Sequence, residues 1–313
     1  RTRISSEIAS LLEKDPFNST LLRQQILLTR AHISTIDSFC SDIVKENFYK
    51  LGISPDFRIL DDSEMAVLRA EAVSKVLDGY YSENDADFYR FAGLFASGKS
   101  DEMIARMINR LYDFVRSPPF PRRWLDEKAE MYSSPLPAAQ TVWGKTIMSY
   151  AGEAIDYCIS VTQNAAALAG SDPAAAKAYS DALKSDMAGL LSLKKAATAC
   201  DWDSAAFQLQ NFSYQKLKPL KGCGDAFKDR IKSARKEVKD TVAKLARLFP
   251  GNEKQCSEDI KSLAPIVRKF FGVTERFAEI LAEMKDEKHA ADFSDLEHWT
   301  LKLLVKETEG GFE

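Results

Sequence analysis

At residues 33–40 the chain reads Ile33-Ser34-Thr35-Ile36-Asp37-Ser38-Phe39-Cys40, and the prediction of the fold starts from this stretch. Residues 33–35 favour a short β run, and apolar side chains then recur at helical spacing as far as Leu51. Thr35 or Asp37 can cap this helix, because a short side-chain oxygen can accept from the first free N–H groups. Helix N-termini also bind phosphate. The stretch therefore predicts an extended segment, a helix and a place for an anion where they meet.

The remainder of the chain is predicted to be mainly α-helical, because strand patterns are almost absent from it. Residues 135–200 are rich in alanine and predict long helices, whereas residues 201–221 are predicted to be irregular. Apolar residues over 225–249 alternate spacings of four and three, a pattern typical of antiparallel helix pairs. The turn Pro250-Gly251-Asn252 would lead into a partner helix over 253–288.

Composition excludes several classes of protein. The 313 residues carry a net charge of −3, so any nucleic-acid surface must be local. Five cysteines without a CxxC pair do not indicate a disulfide framework. The sequence contains no run of 18 apolar residues, so no membrane span is predicted. We expect a cytoplasmic protein without a membrane partner.

Both ends of the sequence lie inside predicted elements. Residues 1–12 already favour a helix, and nothing before Arg1 can cap it. The last residues, 308–313, do not complete an element. We therefore expect a piece of a longer protein.

The motifs of nucleotide hydrolysis are missing from this sequence. It has no GxxxxGK[ST] phosphate loop and no DExx run of the kind that holds Mg²⁺ in helicases. It also has no spacing of metal ligands and no carboxylate-and-lysine cluster of a nuclease. No cofactor, metal site or catalytic residue is predicted for this chain.

Residues 34–40 resemble the DNA-contacting TIDSFC motif of the UvrD-like superfamily-1 DNA helicases, in the form found in the AddA family of ATP-dependent helicase/nuclease proteins. Further matches follow in the same order at Asn47-Phe48-Tyr49, at Asp56–Ile59 with Glu64, and at Asp292–His298. The resemblance covers nearly the whole chain. Three matches in order are specific, whereas each alone would be weak.

The resemblance implies a division into three segments. Residues 1–50 and 290–313 would be incomplete pieces of an α/β RecA-like motor domain, called 1A in this family. Residues 51–289 would be a helical insertion, the accessory domain called 1B, with long antiparallel helices.

The same resemblance implies a function for the longer protein. It would be an ATP-dependent DNA helicase and exonuclease that needs ATP and Mg²⁺ and works in double-strand break repair together with an AddB-like partner subunit. The present chain would bind DNA, as a single strand or at a junction of single and double strands, and would lack the motor.

Candidate DNA contacts come first from the TIDSFC-like motif. The resemblance implies that Thr35, Asp37, Ser38 and Phe39 lie at the backbone of single-stranded DNA. UvrD has histidine at the position of Asp37, and an ionised aspartate cannot donate to a phosphate as histidine does. Asp37 is therefore predicted to cap the helix or to orient a neighbour. Without the resemblance, all of these residues can be read as helix caps alone.

The segment at 292–296 favours a helix start. Asp292 is the predicted cap, and Phe293 and Leu296 are predicted to pack beneath it, with Phe293 against the helix that follows Thr35. Asp295 completes the motif. We expect packing rather than DNA contact here.

A basic stripe is the third candidate. Eleven basic and four acidic residues lie between Lys216 and Arg247. Steps of four, three and four place one set of cations on a single helical face that could neutralise phosphates, namely Lys228, Lys232, Arg235 and Lys239. The stripe can equally be a solvated face whose long side chains cover apolar surface.

Two other functions remain open from the residues. The chain could be a helical scaffold that binds protein and no DNA. It could also be an independent enzyme of unknown type, for which the sequence offers no catalytic residue.

Overall fold

The computed structural model describes residues 1–31, 33–96, 100–220, 222–308 and 311–312. These residues are mainly α-helical, as predicted. The chain divides into two compact units: Arg1–Leu125 with Lys269–Glu313 forms unit 1, and Asp126–Arg268 forms unit 2. These bounds differ from the predicted ones at residues 50 and 289, and the assignment of 1–50, 51–289 and 290–313 to motor and accessory domains stays a prediction.

The helices of the first part of the chain are α1 Thr2–Lys14, α2 Ser19–Arg30, α3 Ile36–Glu46, α4 Phe48–Leu51, α5 Asp62–Ser82, α6 Ala86–Phe95, α7 Glu102–Val115 and α8 Pro121–Ser133. After a 3₁₀ turn at Ala138–Gln140 come α9 Val142–Gly170, α10 Pro173–Thr198, α11 Trp202–Gln210, α12 Asp225–Ala246, α13 Glu253–Glu287 and α14 Phe293–Leu304. Among the described residues, no helix combines the length and the hydropathy needed to cross a bilayer.

Strands are short where they occur in the described residues. In unit 1, β1 (Arg58–Ile59) pairs in parallel with β2 (Ala290–Ala291), with Arg58 opposite Ala290. β3 (Glu307–Thr308) and β4 (Gly311–Phe312) form an antiparallel pair. The β1–β2 pair matters for function, because β2 leads directly into the motif at residue 292.

Side-chain caps explain where several helices begin. The side chains of Thr35, Asp61, Asp172 and Asp292 each accept a hydrogen bond from the backbone N–H three residues later. Such caps satisfy donors that the helix itself leaves free. Thr35 is therefore the cap of α3, which decides between the two predicted candidates. The predicted β run over residues 33–35 is wrong, since these residues belong to no strand.

Unit 2 is built on the hairpin of α9 and α10. Ser171-Asp172 joins the two helices, and α12 packs along α9 as well. Early residues of α9 share a buried cluster with late residues of α10, for example Met148 with Leu193, so the two helices run antiparallel. The predicted pairing of 225–249 with 253–288 is wrong, because the apolar seam of α12 packs against α9 and α11. Periodicity showed that α12 has a buried seam but not which helix covers it.

The prediction of an irregular segment over 201–221 is wrong in its first half, which forms α11. Asp201 caps this helix by accepting from Ser204 N at 3.0 Å. Trp202 and Leu209 lie on its buried face. Residues 211–220 are not helical.

Candidate nucleic-acid interface

The N-terminus of α3 presents two hydroxyl groups to solvent. Thr35 Oγ1 accepts from Ser38 N at 3.3 Å and donates to Ser38 Oγ at 3.0 Å. Both side chains are exposed. Other N–H groups of the first turn have no partner within the helix, and they carry the positive end of its dipole. The structure therefore places Thr35 and Ser38 together at a helix end suited to an anion.

Asp37 and Phe39 flank this helix end. Asp37 is half-buried in the first turn, where its charge is favourable to the helix dipole. Phe39 is 45% exposed, and Ile36 is exposed further, at 73%. The helix end thus combines hydroxyl groups, one carboxylate and apolar side chains, and has no basic residue in its first turn.

Helix α3 is held on its other side by α14, the helix of the second motif. Cys40 and Val44 are the buried residues of α3, and Leu296 and Thr300 are those of α14. The two helices pack together, and Thr300 Oγ1 approaches the carbonyl oxygen of Cys40 at 3.5 Å. The predicted packing of the second motif beside α3 is thus observed, with Leu296 buried as expected.

Phe293 does not take the predicted part in this packing. Its side chain is 56% exposed, so the prediction that it packs beneath the helix start is wrong. It lines a cavity of about 430 Å³ together with Met65 and Arg69. The spacing of Phe293 and Leu296 did not reveal that only Leu296 turns toward α3.

Asp292 and Asp295 close the N-terminus of α14 as a capping box. Asp295 N donates to Asp292 Oδ1 at 2.8 Å, and Asp292 N donates to Asp295 Oδ2 at 2.9 Å. This reciprocal arrangement satisfies two donors of the first turn. The prediction of Asp292 as the cap is confirmed.

Two cations that no sequence pattern connects to this motif bind these carboxylates. Arg116 donates to both oxygens of Asp292 at 2.8 Å and to Asp295 at 3.0 Å. Lys285 donates to Asp292 at 3.2 Å and to Asp295 at 2.5 Å. We call Arg116, Lys285, Asp292 and Asp295 the charge cluster. Arg116 lies 176 residues from Asp292, and no local pattern joins positions so far apart.

The surroundings shift the ionisation of this cluster. Burial alone would raise the pKa of Asp292, but the charges of Lys285 and Arg116 outweigh it and hold that pKa below its ordinary value of 3.8. Burial raises the pKa of Tyr112, whose ring lies under the Arg116 guanidinium at 5.1 Å. Asp292 is therefore ionised in the folded protein at neutral pH.

The basic stripe on α12, which lies in unit 2, is only partly the exposed face that was predicted. Lys232 and Lys239 are exposed. Lys228 is half-buried and pairs with Asp225 at 3.1 Å. The placement of Arg235 on the exposed face is wrong, because its side chain is 6% exposed and pairs with Asp186, which is 1% exposed.

Arg235 instead joins three parts of unit 2. Its Nε donates to Asp186 on α10 at 2.5 Å, and its Nη2 donates to the carbonyl oxygen of Gln215 at 2.7 Å. The guanidinium also lies over the Tyr214 ring at 5.6 Å. Arg235 follows Ile231 by four residues and therefore shares its buried side of the helix. The spacing of the basic residues on α12 did not reveal that one of them, Arg235, lies on the buried side of the helix.

Unpaired cations remain on the outer side of α12. Lys232, Lys236 and Lys239 are exposed and form no ion pair with the residues that the structure describes. The ammonium group of Lys239 lies over the Tyr214 ring at 4.8 Å. We call these three lysines the α12 face. Lys236 belongs to it although it lies outside the steps of four, three and four that start at Lys228.

The chain belongs to the UvrD-like helicases: residues 1–310 match the profile described as the UvrD/REP helicase N-terminal domain. Curated relatives are named as the A subunit of an ATP-dependent helicase/nuclease. That from Anoxybacillus flavithermus is 33% identical over 97% of this chain. Those from Acetivibrio thermocellus and Alkaliphilus metalliredigens are each 29% identical, over 99% and 98% of the chain.

The match covers only part of each relative. The chain spans 26%, 25% and 26% of the length of these three proteins. The resemblance predicted from residues 34–40 is thus confirmed at the level of the family. What the whole relatives do is a separate question for this chain.

Proposed function

We propose that this chain is a DNA-binding part of an ATP-dependent helicase/nuclease. The observation that carries the proposal is the exposed pair Thr35 and Ser38, which stands at a helix N-terminus within the motif whose resemblance implies DNA contact. The hydroxyl of Ser38 and the free N–H groups of the first turn would donate to phosphate oxygens of single-stranded DNA. Phe39 would lie against the sugar or base beside them.

The α12 face would supply a second contact. Three exposed lysines without ion partners among the described residues can neutralise phosphates and release counterions, so binding through them would weaken as salt rises. Lys228 is a weaker candidate, because Asp225 already neutralises it. Arg235 is not proposed as a contact, because its charge is buried and satisfied inside unit 2.

The activity proposed for the longer protein is ATP-driven helicase and exonuclease action in double-strand break repair. It would take place in the cytoplasm with ATP, Mg²⁺ and an AddB-like partner subunit. Residues 1–50 and 290–313 would then belong to motor domain 1A, and residues 51–289 to domain 1B. The name of the relatives supports this interpretation. The sequence has no phosphate loop, so we expect no ATP hydrolysis from this chain alone.

Fluorescence anisotropy with single-stranded and forked DNA at low and high salt tests the proposal. We expect binding at low salt that weakens in a Thr35→Ala/Ser38→Ala variant and in a Lys232→Glu/Lys236→Glu/Lys239→Glu variant. The matched control is Lys145→Glu/Lys195→Glu/Lys261→Glu, which reverses three exposed charges on other helices of unit 2. Equal loss in the control would show that only net charge matters, and absence of binding at low salt would contradict the proposal.

A helical scaffold that binds protein is the second candidate. Helices α1 and α2 pack on each other, contain no buried residue and leave Ile4, Leu22 and Ile26 exposed. Contiguous exposed apolar residues are typical of protein-binding surfaces. This function would replace the first if the chain bound no DNA at low salt.

A further inference from the structure

The charge cluster in unit 1 is more elaborate than a helix cap requires. Asp292 and Asp295 already satisfy each other's backbone N–H groups. Arg116 and Lys285 add two cations whose side chains are 12% and 5% exposed. Removing charges from water is costly, so a buried ion cluster is weak evidence of a gain in stability. The positions of the contacts in the charge cluster indicate its role better than an argument from stability does.

Arg116 contacts three positions of the α14 start as well as its second turn. Its guanidinium bonds Asp292 and Asp295, and its Nε donates to Ser294 Oγ at 2.7 Å. Its carbonyl oxygen lies 3.0 Å from Nε2 of His298. Contacts at residues 292, 294, 295 and 298 extend over the first two turns on one side of the helix, so they restrain both the rotation and the axial position of α14.

Lys285 and β2 hold the same helix end from other directions. Lys285 comes from α13 and reaches both carboxylates. β2 ends one residue before Asp292 and is paired in register with β1. Three separate segments of unit 1 thus converge on residues 290–295. The N-terminus of α14 is therefore fixed relative to α7, α13 and β1.

The fixed helix is the one on which α3 rests. Leu296 and Thr300 of α14 are buried on the side that packs against α3, and Thr300 approaches the carbonyl oxygen of Cys40. Cys40 follows Thr35 by five residues, a little more than one helical turn. Any rotation of α14 about its axis would therefore displace the Thr35–Ser38 end.

We propose that Arg116 and Lys285 are positioning residues that act through α14 to set the place and angle of the α3 N-terminus for a DNA backbone. The inference rests on the proposed function of Thr35 and Ser38 and adds residues that touch no DNA. Bidentate pairing from a planar guanidinium fixes an angle, which a lysine at the same place cannot do.

A double-mutant cycle on DNA affinity tests the inference. The single variants are Arg116→Met and Thr35→Ala/Ser38→Ala, and the third protein combines them. Because both changes are expected to act on one contact, the combined variant should lose little more affinity than the worse single variant. The coupling should be about fivefold or more in the dissociation constant.

Arg69→Met is the matched control. Arg69 lies over the same Tyr112 ring at 5.2 Å and pairs with Asp113. Among the residues that the structure describes, it forms no ion pair with a residue of α14. Its loss should leave DNA affinity within about twofold of the original. Arg116→Lys keeps the charge without the fork, and we expect it to restore part of the affinity lost in Arg116→Met.

Hydrogen–deuterium exchange on the same proteins keeps the inference falsifiable if Arg116→Met binds poorly through unfolding. We expect faster exchange over 36–46 in Arg116→Met and in the milder Asp295→Asn, with unchanged exchange over α9 and α10. Unchanged exchange over 36–46, or losses of affinity that simply multiply in the cycle, would overturn the inference. If Thr35→Ala/Ser38→Ala binds DNA normally, the proposed function itself fails, whatever Arg116 does.

Discussion

The two proposed DNA-binding surfaces differ in their chemistry. Helix α3 would bind a phosphate through hydroxyl groups and the N–H groups of one turn, whereas α12 would bind it through three ammonium groups on long side chains. The first surface is fixed by helix packing and carries no basic residue in its first turn. The second consists of exposed lysines, of which only Lys239 lies over an aromatic ring, that of Tyr214. The difference teaches that charge alone would not locate the proposed DNA contacts, because the motif at residues 34–40 has no basic residue.

The two regions also use buried charge differently. In unit 1, four charged groups surround the start of a helix that supports α3. In unit 2, one pair joins Arg235 to Asp186 and secures the segment that contains Gln215. A substitution in the charge cluster is therefore expected to change DNA binding, whereas a substitution of Arg235 is expected to change mainly the stability of the protein.

The largest expected effect is on stability, from Arg235→Leu. It leaves the buried carboxyl group of Asp186 without its partner, so we expect a loss of about 3 kcal/mol in the free energy of unfolding. Lys232→Leu changes an exposed cation on the same helix and should alter that free energy by no more than about 0.5 kcal/mol. Urea denaturation measures both. Equal stability of the two variants would contradict the burial of Arg235 and would support its predicted place on the exposed face.

Asp292→Asn should have the next largest effect, and it should depend on pH. Asparagine also caps helices, so the change removes mainly the charge, and we expect a loss of about 2 kcal/mol at pH 7. A carboxylate whose folded pKa lies below its unfolded pKa stabilises the protein above the unfolded value and loses this contribution as pH falls through the folded value. Because the pKa of Asp292 is lowered from 3.8, the difference between the proteins should shrink below about pH 4. Thermal unfolding from pH 7 to pH 3 would show a constant difference if the charge were irrelevant.

Thr35→Ala should destabilise the protein by about 1 kcal/mol, because it removes the cap of α3. Thr35→Ser retains the hydroxyl and is the control, with an expected change of a few tenths of a kcal/mol at about the error of the measurement. Chemical denaturation provides the values. If alanine were tolerated as well as serine, the capping bond to Ser38 N would contribute nothing measurable.

Asp37→Asn is expected to produce the smallest change, an increase in DNA affinity of about twofold. Asparagine keeps the shape of aspartate but removes a negative charge and can donate a hydrogen bond. Anisotropy at constant salt measures the change, and Asp42→Asn, further along α3, is the control. A weaker complex with Asp37→Asn would mean that the carboxylate itself orients the site.

How much of this could be predicted depended on the range of the interaction. The caps at Thr35 and Asp292 are signalled within four residues: Asp292 was predicted, and Thr35 was one of two candidates beside Asp37. The ion pair of Arg235 with Asp186 joins residues 49 positions apart, and that of Arg116 with Asp292 joins residues 176 positions apart. The helices that cover α12 likewise lie outside its own sequence pattern. Helical periodicity identifies a buried side but not what covers it, so a cation at a seam position was assigned to solvent. The resemblance of the sequence motifs gave their order along the chain, yet it gave no indication that Phe293 is exposed.

The salt dependence of DNA affinity tests the central claim most directly. Each phosphate of a single strand that a lysine or arginine neutralises contributes about −0.7 to the slope of log affinity against log salt, whereas a contact from a neutral hydroxyl or N–H group does not. Lys232→Gln/Lys236→Gln/Lys239→Gln should therefore make the slope shallower by about 2, whereas Thr35→Ala/Ser38→Ala should lower affinity at every salt concentration with the slope unchanged. Equal slopes in all three proteins, or a shallower slope in the Thr35→Ala/Ser38→Ala variant, would contradict the account of two physically different DNA-binding surfaces.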